Sequence, residues 1–320
     1  MTTFAVTLEA FTDIDFWIGV GILAGTYTIF ALGLQINVGF TGIVNFGQAG
    51  FMAIGAYTMG ILVVKAGWSF WLALPAATVT AMAAGLLIGL PSLRLRADYF
   101  AIVTIAFAEI VRYVAQNARE LTGGNQGLLG YDDSWAEVSA WILDRLETVG
   151  FGDQFLMPLL LVTWLTALAL IVVLTIAQRT PWGRVLRAIR EDEDAARALG
   201  KNTFAYKLQS LMIGAALGAL AGYFLALNLA FVSPESFEPL FTFIGYAVLI
   251  LGGLASYAGV ALGAIVLWTL LEATRFLDLP LAAEKVAALR FMLVGLLLIL
   301  LMAYRPQGIL GKRREMVLGD

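Results

Sequence analysis

Runs of about twenty apolar residues, the length that crosses a bilayer core, follow one another along this chain with only short polar breaks between them. They predict helical spans over 16–37, 39–64, 68–91, 98–116, 156–178, 204–228, 240–256, 258–276 and 286–304, of which the seventh is short and Gly-rich. The expected fold class is therefore all-α: a polytopic transmembrane helix bundle of about nine spans, forming one domain over 1–320.

Two stretches depart from plain apolar character. Residues 37–60 place Asn37, Thr41, Asn45 and Gln48 at membrane depth, and Gly39, Gly42, Gly47, Gly50 and Gly55 loosen the helix around them. Polar side chains and broken backbone are tolerated there only when buried in protein or lining a water-filled cavity. A comparable Gly-rich element lies at 245–263. Paired interrupted segments in two halves of a transporter point to a midplane path, so Asn45, Gly47 and Gln48 are candidates to line one; interhelical hydrogen bonding without substrate contact is the plainer alternative. Small residues at four-residue spacing, Gly214/Gly218/Gly222, Gly85/Gly89 and Gly259/Gly263, predict close helix packing.

Composition agrees with the pattern. With 60% apolar and 13% charged residues, the chain falls far below the roughly 25% charged content of soluble domains. It has no Cys and no His, which excludes disulfides, zinc sites and His-based acid–base chemistry. No basic region precedes the first apolar run, so no cleavable signal peptide is expected. Basic loops belong on the cytoplasmic side: Arg94 and Arg96, the 179–207 block, and the tail Arg305, Lys312, Arg313 and Arg314. Acidic segments then fall outside: Glu9, Asp13 and Asp15; residues 131–153 with Asp132, Asp133, Glu137, Asp144, Glu147 and Asp153 against Arg145; and Glu235 with Glu238. Nine crossings, N-terminus out and C-terminus in, satisfy every loop, whereas eight would expose the basic tail outside.

Glu109 lies within the fourth run. A carboxylate in a span needs a partner or water, and Arg112, three residues on, shares its helix face; Glu109 is either a path residue or half of a structural ion pair. The Gly-rich loop 121–131 is a candidate cradle or docking loop, or a flexible connector. It does not match a phosphate-binding loop, since no Gly-Lys-Ser/Thr follows.

The most charged block, 179–207, holds Arg179, Arg184, Arg187, Arg190, Arg197, Lys201 and Lys207 around four consecutive acids, Glu191 to Asp194. Trp182, Val185, Leu186, Ile189, Ala196 and Leu199 recur at three- and four-residue spacing, which predicts short helices with one apolar face. The second covers 194–199, with Gly200 suited to the position after its end. Ala195, Ala196 and Gly200 are small enough to let a partner approach closely. The pattern predicts docking to a soluble protein, or else a helix lying on lipid; so many acids disfavour anionic headgroups.

These stretches together resemble the permease subunits of branched-chain amino-acid ABC importers, in their LivM-like branch. The resemblance rests on GFTGIVNFGQAGFMAIGAYTMG (39–60), ADYFAIVTIAFAEIVR (97–112), LTGGNQGL (121–128), WGRVLRAIREDEDAARALGKNTFAYKL (182–208), AVLILGGLASYAGVALGA (247–264) and YRPQGILG (304–311), in order along most of the chain. DAARALG at 194–200 is similar to the EAA-x-x-x-G loop of importer permeases, with Asp194 in place of Glu; that resemblance implies a coupling helix seated on an ATPase. Gln48 stands where many relatives carry His, which bears on substrate identity. The resemblance implies a multi-pass protein of a bacterial or archaeal cell (inner) membrane that carries branched-chain amino acids, or alternatively urea, short-chain amides or other amino acids. It implies a homologous second permease, two ATPase subunits and an extracellular solute-binding protein as partners, with membrane lipid around the chain and no nucleic acid. No cofactor is expected in this chain: it has no Walker A sequence, so ATP and Mg belong to partner ATPases. It is not expected to be an enzyme, and an ion-coupled secondary transporter would need more intramembrane ionisable groups than Glu109.

Overall fold

The computed structural model describes residues 13–148, 150, 153–274, 283–305 and 307–311; the expectations placed on Glu9, Lys312, Arg313 and Arg314 lie outside the described residues. The first helix, α1 (Ile14–Leu34), is capped by Asp13, whose side chain accepts from the Asp15 N–H, and it runs into a π-helical turn, Gln35–Phe40. The helix stops there because Thr41 turns its hydroxyl back onto the Ile36 carbonyl (2.9 Å) and Gly42 takes a positive φ of 76°. Residues 42–47 are non-helical, and α2 (Gln48–Val64) begins only after them. The order continues with α3 (Phe70–Ser92), α4 (Ala97–Asn117), the single turn α5 (Arg119–Thr122), α6 (Asp133–Glu147) and α7 (Met157–Arg179). Then come α8 (Pro181–Glu191), α9 (Glu193–Ala198), α10 (Thr203–Leu229), α11 (Leu240–Gly252), α12 (Tyr257–Ala273) and α13 (Ala283–Tyr304). Among the described residues the one extended pairing is an isolated bridge between Leu128 and Val232.

Among the described residues four helices are long and apolar enough to cross a membrane, α1 with its π-helical turn, α3, α7 and α10, or up to five if α11 and α12 are taken as one bent span. Length and apolarity in these helices account for part of the nine expected runs. The expected run 39–64 loses its first residues to the break, and the 17 residues of α2 span about 26 Å at 1.5 Å each, short of the roughly 30 Å core. The runs 240–256 and 258–276 are helices meeting at a bend of 116°, a change of direction that a hydropathy window cannot register.

Helix α10 lies at the centre and packs against α1, α2 and α3. Its Gly222 faces the Met52 carbonyl of α2, and Gly55 of α2 faces the backbone of Ala219, so a Cβ at either would meet main chain rather than a movable side chain. The small-residue spacing thus does what it predicts: it allows two backbones to touch.

Two ends of the bundle can be told apart by their contacts. At one end meet the π-helical turn, residues 41–44, residues 93–97, helices α8 and α9, the α11–α12 bend and residues 305 and 307–311. At the other end Leu128 pairs with Val232, Tyr131 donates to the Ala226 carbonyl (2.8 Å), Gly60 lies against Leu128 and Tyr57 against Phe237. The 121–131 loop is therefore pinned rather than free. The basic segments Arg94/Arg96, 179–207 and Arg305 share the first end; the segment bearing Glu235 and Glu238 lies at the second.

Candidate functional site

The break between α1 and α2 is held from four sides. From α4, Thr104 Oγ1 accepts from the Phe46 N–H (3.0 Å). From α11, Thr242 Oγ1 accepts from the Ala49 N–H (3.0 Å), and the Tyr246 hydroxyl donates to the Asn45 carbonyl (2.9 Å). From α10, Ser210 takes part in a hydroxyl pair with Thr41 (2.7 Å) and reaches Asn37 Oδ1 (3.2 Å). From α1, the Phe30 carbonyl accepts from Gln48. Freed backbone groups inside a membrane bundle must find such partners, and the Phe46 and Ala49 N–H groups and the Asn45 carbonyl do so here.

Asn45, Gly47 and Gln48 come together as one unit at the start of α2. Asn45 Oδ1 accepts from the Gly47 N–H (2.8 Å), while Asn45 Nδ2 donates to Gln48 Oε1 (3.2 Å). Gln48 Nε2 donates to the Gly214 carbonyl (2.9 Å) and to that of Phe30 (3.4 Å). Both side chains are wholly buried, so in this conformation their amide groups are turned into protein. Beside them the half-buried Phe46 stacks on the exposed Phe243 (5.1 Å between ring centroids) and against Tyr246 (5.0 Å). Glu109 is not part of this unit. Its Oε2 accepts from Arg112 Nη2 (2.8 Å) and Nε (3.0 Å), the intrahelical pair that the spacing allows.

Helices α8 and α9 are set by their ends. Pro181 opens α8, where a missing N–H costs nothing. Asp192, in extended conformation, ends it and caps α9 by accepting from the Ala195 N–H (2.9 Å). Gly200 follows α9 with φ +76°, as a residue closing a helix in the left-handed region should. The apolar face divides: Leu186, Ile189 and Ala196 are buried within this chain and Trp182 is half-buried, its indole donating to Gln209 (2.9 Å), whereas Asp194, Ala195, Leu199 and Gly200 are exposed. The part of the expected docking face formed by Ile189 and Ala196 is thus already occupied by the bundle, because an apolar helix face packs on whatever apolar surface its own chain offers first.

Electrostatics tie the unit together. Glu193 accepts from Lys207, from Thr203 Oγ1 (3.0 Å) and from Arg197 (3.0 Å), and Arg197 also reaches Asp194 (3.1 Å). Partial burial pushes the Glu193 carboxyl up, but hydrogen bonding to Lys207 and Thr203 and the charges of Lys207 and Arg197 outweigh it and leave it below the usual range. Arg190 donates to the Gly39 carbonyl at the end of the π-helical turn. One turn earlier, the Gln35 amide, with its oxygen towards the α12 start, accepts from the Ser256 (2.7 Å) and Ala255 (2.5 Å) N–H groups. The far side of that bend is closed by the C-terminal segment: the Ile309 and Leu310 N–H groups donate to the Leu251 (2.9 Å) and Gly252 (3.0 Å) carbonyls.

Gln35, Arg190, Ser210, Thr242 and Tyr246 escaped the sequence reading. A signal existed for the hydroxyls and for Gln35, since isolated polar groups inside apolar runs need partners; nothing marked Arg190 among its six basic neighbours in the block.

A helical membrane bundle with a braced helix break at its centre and a pair of charged helices packed beneath it defines an integral-membrane permease. The chain belongs to the branched-chain amino acid transport system permease component family, whose model matches residues 17–302. It is 38% identical over 312 residues to the high-affinity branched-chain amino acid transport system permease protein LivM of Escherichia coli, covering 93% of this chain and 70% of that protein. It is 27% identical to the probable LivM of Methanocaldococcus jannaschii over 329 residues, 90% of this chain and 91% of that one. Similarity extends at 26% over 308 residues to LivH of Escherichia coli, covering 91% and 92% of the two chains. No solved structure matches.

Proposed function

We propose that this chain is the membrane-spanning subunit of an ATP-driven ABC importer and provides the path for branched-chain, hydrophobic amino acids by alternating access. The observation that carries the mechanism is the Arg190–Gly39 contact, which joins the charged helices α8–α9 to the break in the membrane helices. Family membership supports the substrate class, and the similarity to both LivM and LivH supports a homologous second permease as partner. Two ATPase subunits, which bind ATP and Mg, and an extracellular solute-binding protein complete the complex; this chain works without a cofactor of its own.

The proposed sidedness is nine crossings, with the N-terminus outside and the C-terminus cytoplasmic in a bacterial or archaeal cell membrane. The gathering of the basic segments at one end of the bundle supports it. In this arrangement α9 is the coupling helix. Ala195, Leu199 and Gly200, with Asp194 beside them, form the surface the ATPase touches, and Trp182, Ile189 and Ala196 transmit its displacement into the bundle. Asn45, Gly47 and Gln48 act as a gate that is closed here: their amides exchange bonds with Phe30 and Gly214 for bonds to substrate or water when the path opens. Glu109, paired with Arg112, flanks the path. Reconstitution with the cognate ATPases and binding protein tests this reading. Leucine uptake should follow ATP and ignore imposed proton or sodium gradients, and uptake driven by a gradient without ATP would overturn it.

A further inference from the structure

A cavity of about 510 Å³ opens beside α9, with Arg94, Glu193, Arg197, Lys201, Phe204 and Lys207 in its lining. Its volume lies within the range of small-ligand sites, about 300–1,000 Å³. Four cations face it against one carboxylate, because Glu191, Asp192 and Asp194, which weigh against anionic headgroups for the charged block as a whole, are not in its lining. Glu193 is shared by Lys207 and Arg197, and Arg197 is further held by Asp194. Arg94 lies over the Phe204 ring, 5.6 Å from its centroid. No carboxylate among the described residues pairs with Arg94 or Lys201, and both are exposed.

Position decides what such a cavity can take. It sits where α3 ends and α10 begins, two helices long and apolar enough to cross the membrane, so with the sidedness proposed above its floor of Leu93, Leu95 and Phe204 falls where acyl chains meet headgroups. The first turn of α10 adds the positive end of a 27-residue helix, which favours an anion. Surplus positive charge, an apolar floor and a place at the membrane boundary together fit one ligand chemistry, a phosphate carried on a lipid.

We propose that this cavity binds the phosphate of an anionic phospholipid headgroup, with Arg94 and Lys201 as its principal contacts. Because the cavity also holds Glu193, Arg197 and Lys207, the bound lipid lies against the ion-pair hub that fixes α9. The tightness of α9 then depends on lipid composition. The proposal does not require the transport reading, since binding is measured on the chain alone.

The test is native mass spectrometry of the detergent-solubilised full chain titrated with phosphatidylglycerol, with phosphatidylcholine, and with inorganic phosphate. Phosphatidylglycerol should be retained at least about tenfold better than phosphatidylcholine, since surface cations favour anionic headgroups. That preference should vanish in the Arg94→Ala/Lys201→Ala double variant and persist in Lys201→Arg and in Lys65→Ala at the other end of the bundle. Lys201→Glu alone repeats the test without disturbing Arg94 on Phe204. Equal retention of the two lipids, or a preference unchanged in the double variant and in Lys201→Glu, would overturn the proposal. Displacement of the lipid by millimolar inorganic phosphate, with phosphate bound in its place, would overturn the lipid as source and leave a free-phosphate site.

Discussion

Arg190 of α8 donates a hydrogen bond to the carbonyl of Gly39, the one glycine of the π-helical turn that ends α1. The contact joins residues 151 positions apart and is made to backbone, so it follows movement of the turn itself. Gly42 stays close by: a Cβ there would lie 3.2 Å from Arg190 Cγ. A hydrogen bond from a charged donor contributes about 1.5–3 kcal/mol. Arg190→Ala should therefore lower ATP-driven uptake about tenfold or more while the ATPases still co-purify. Arg190→Lys, which keeps the charge but not the planar donor, should fall between. Uptake per assembled complex is the measurement, and wild-type rates in both variants would remove this contact from the mechanism.

Gln48 answers a different question, whether the amides at the start of α2 belong to the gate or only to the packing. Gln48→Leu removes the donors to Gly214 and Phe30 at a cost of about 1–3 kcal/mol for the groups left unsatisfied. We expect uptake to drop severalfold with co-purification of the ATPases unchanged. A lowered unfolding midpoint with normal uptake would make Gln48 a brace alone.

The crossing of α2 and α10 leaves no room for a side chain at Gly222. Gly222→Leu would press on the Met52 carbonyl, and overpacking costs about 1–3 kcal/mol even where side chains can yield; backbone yields less. The expected result is a clear fall in the thermal unfolding midpoint in detergent. Gly295→Ala, where an added Cβ meets nothing within 4 Å, should leave it unchanged.

Much of this was legible beforehand, for physical reasons that differ by segment. The break after α1 showed itself because amides and glycines at membrane depth demand protein partners, and the closeness of α2 to α10 showed itself in glycine spacing. The Glu109–Arg112 pair was one of the two outcomes that helix geometry allowed. What stayed hidden depended on tertiary direction: the 116° bend between α11 and α12, the closure of Gln48 onto Gly214, and the inward turn of Ile189 and Ala196. A moment identifies an apolar face but not its partner. The docking of residues 309–310 on the end of α11 was equally invisible, since a short motif carries no address.

The ion-pair hub of α9 predicts a pH dependence. Glu193 is held below its usual value of 4.5, so the stability it contributes is fully present above the unfolded-state value and is lost as pH falls through the lower folded-state one. Between pH 7 and about 5 the wild-type unfolding midpoint should not change through this group; below that it should decline. Glu193→Gln should start lower at pH 7 and lack that part of the decline. Parallel curves for the two proteins from pH 7 to about 3 would contradict the assignment.

We propose that α9 delivers work from an ATPase to the break in the bundle, and Leu199 offers the cleanest access to that step. Its side chain is 80% exposed at the tip of the unit, so Leu199→Arg leaves the fold of this chain untouched and alters only what a partner meets. Substrate-stimulated ATP hydrolysis and leucine uptake, measured together in proteoliposomes holding the full complex, test the claim. An unchanged unfolding midpoint is expected, with uptake reduced at least about tenfold through lost ATPase association or hydrolysis uncoupled from transport, as truncating or charging an interface anchor does. Wild-type uptake and wild-type stimulation in Leu199→Arg would contradict it.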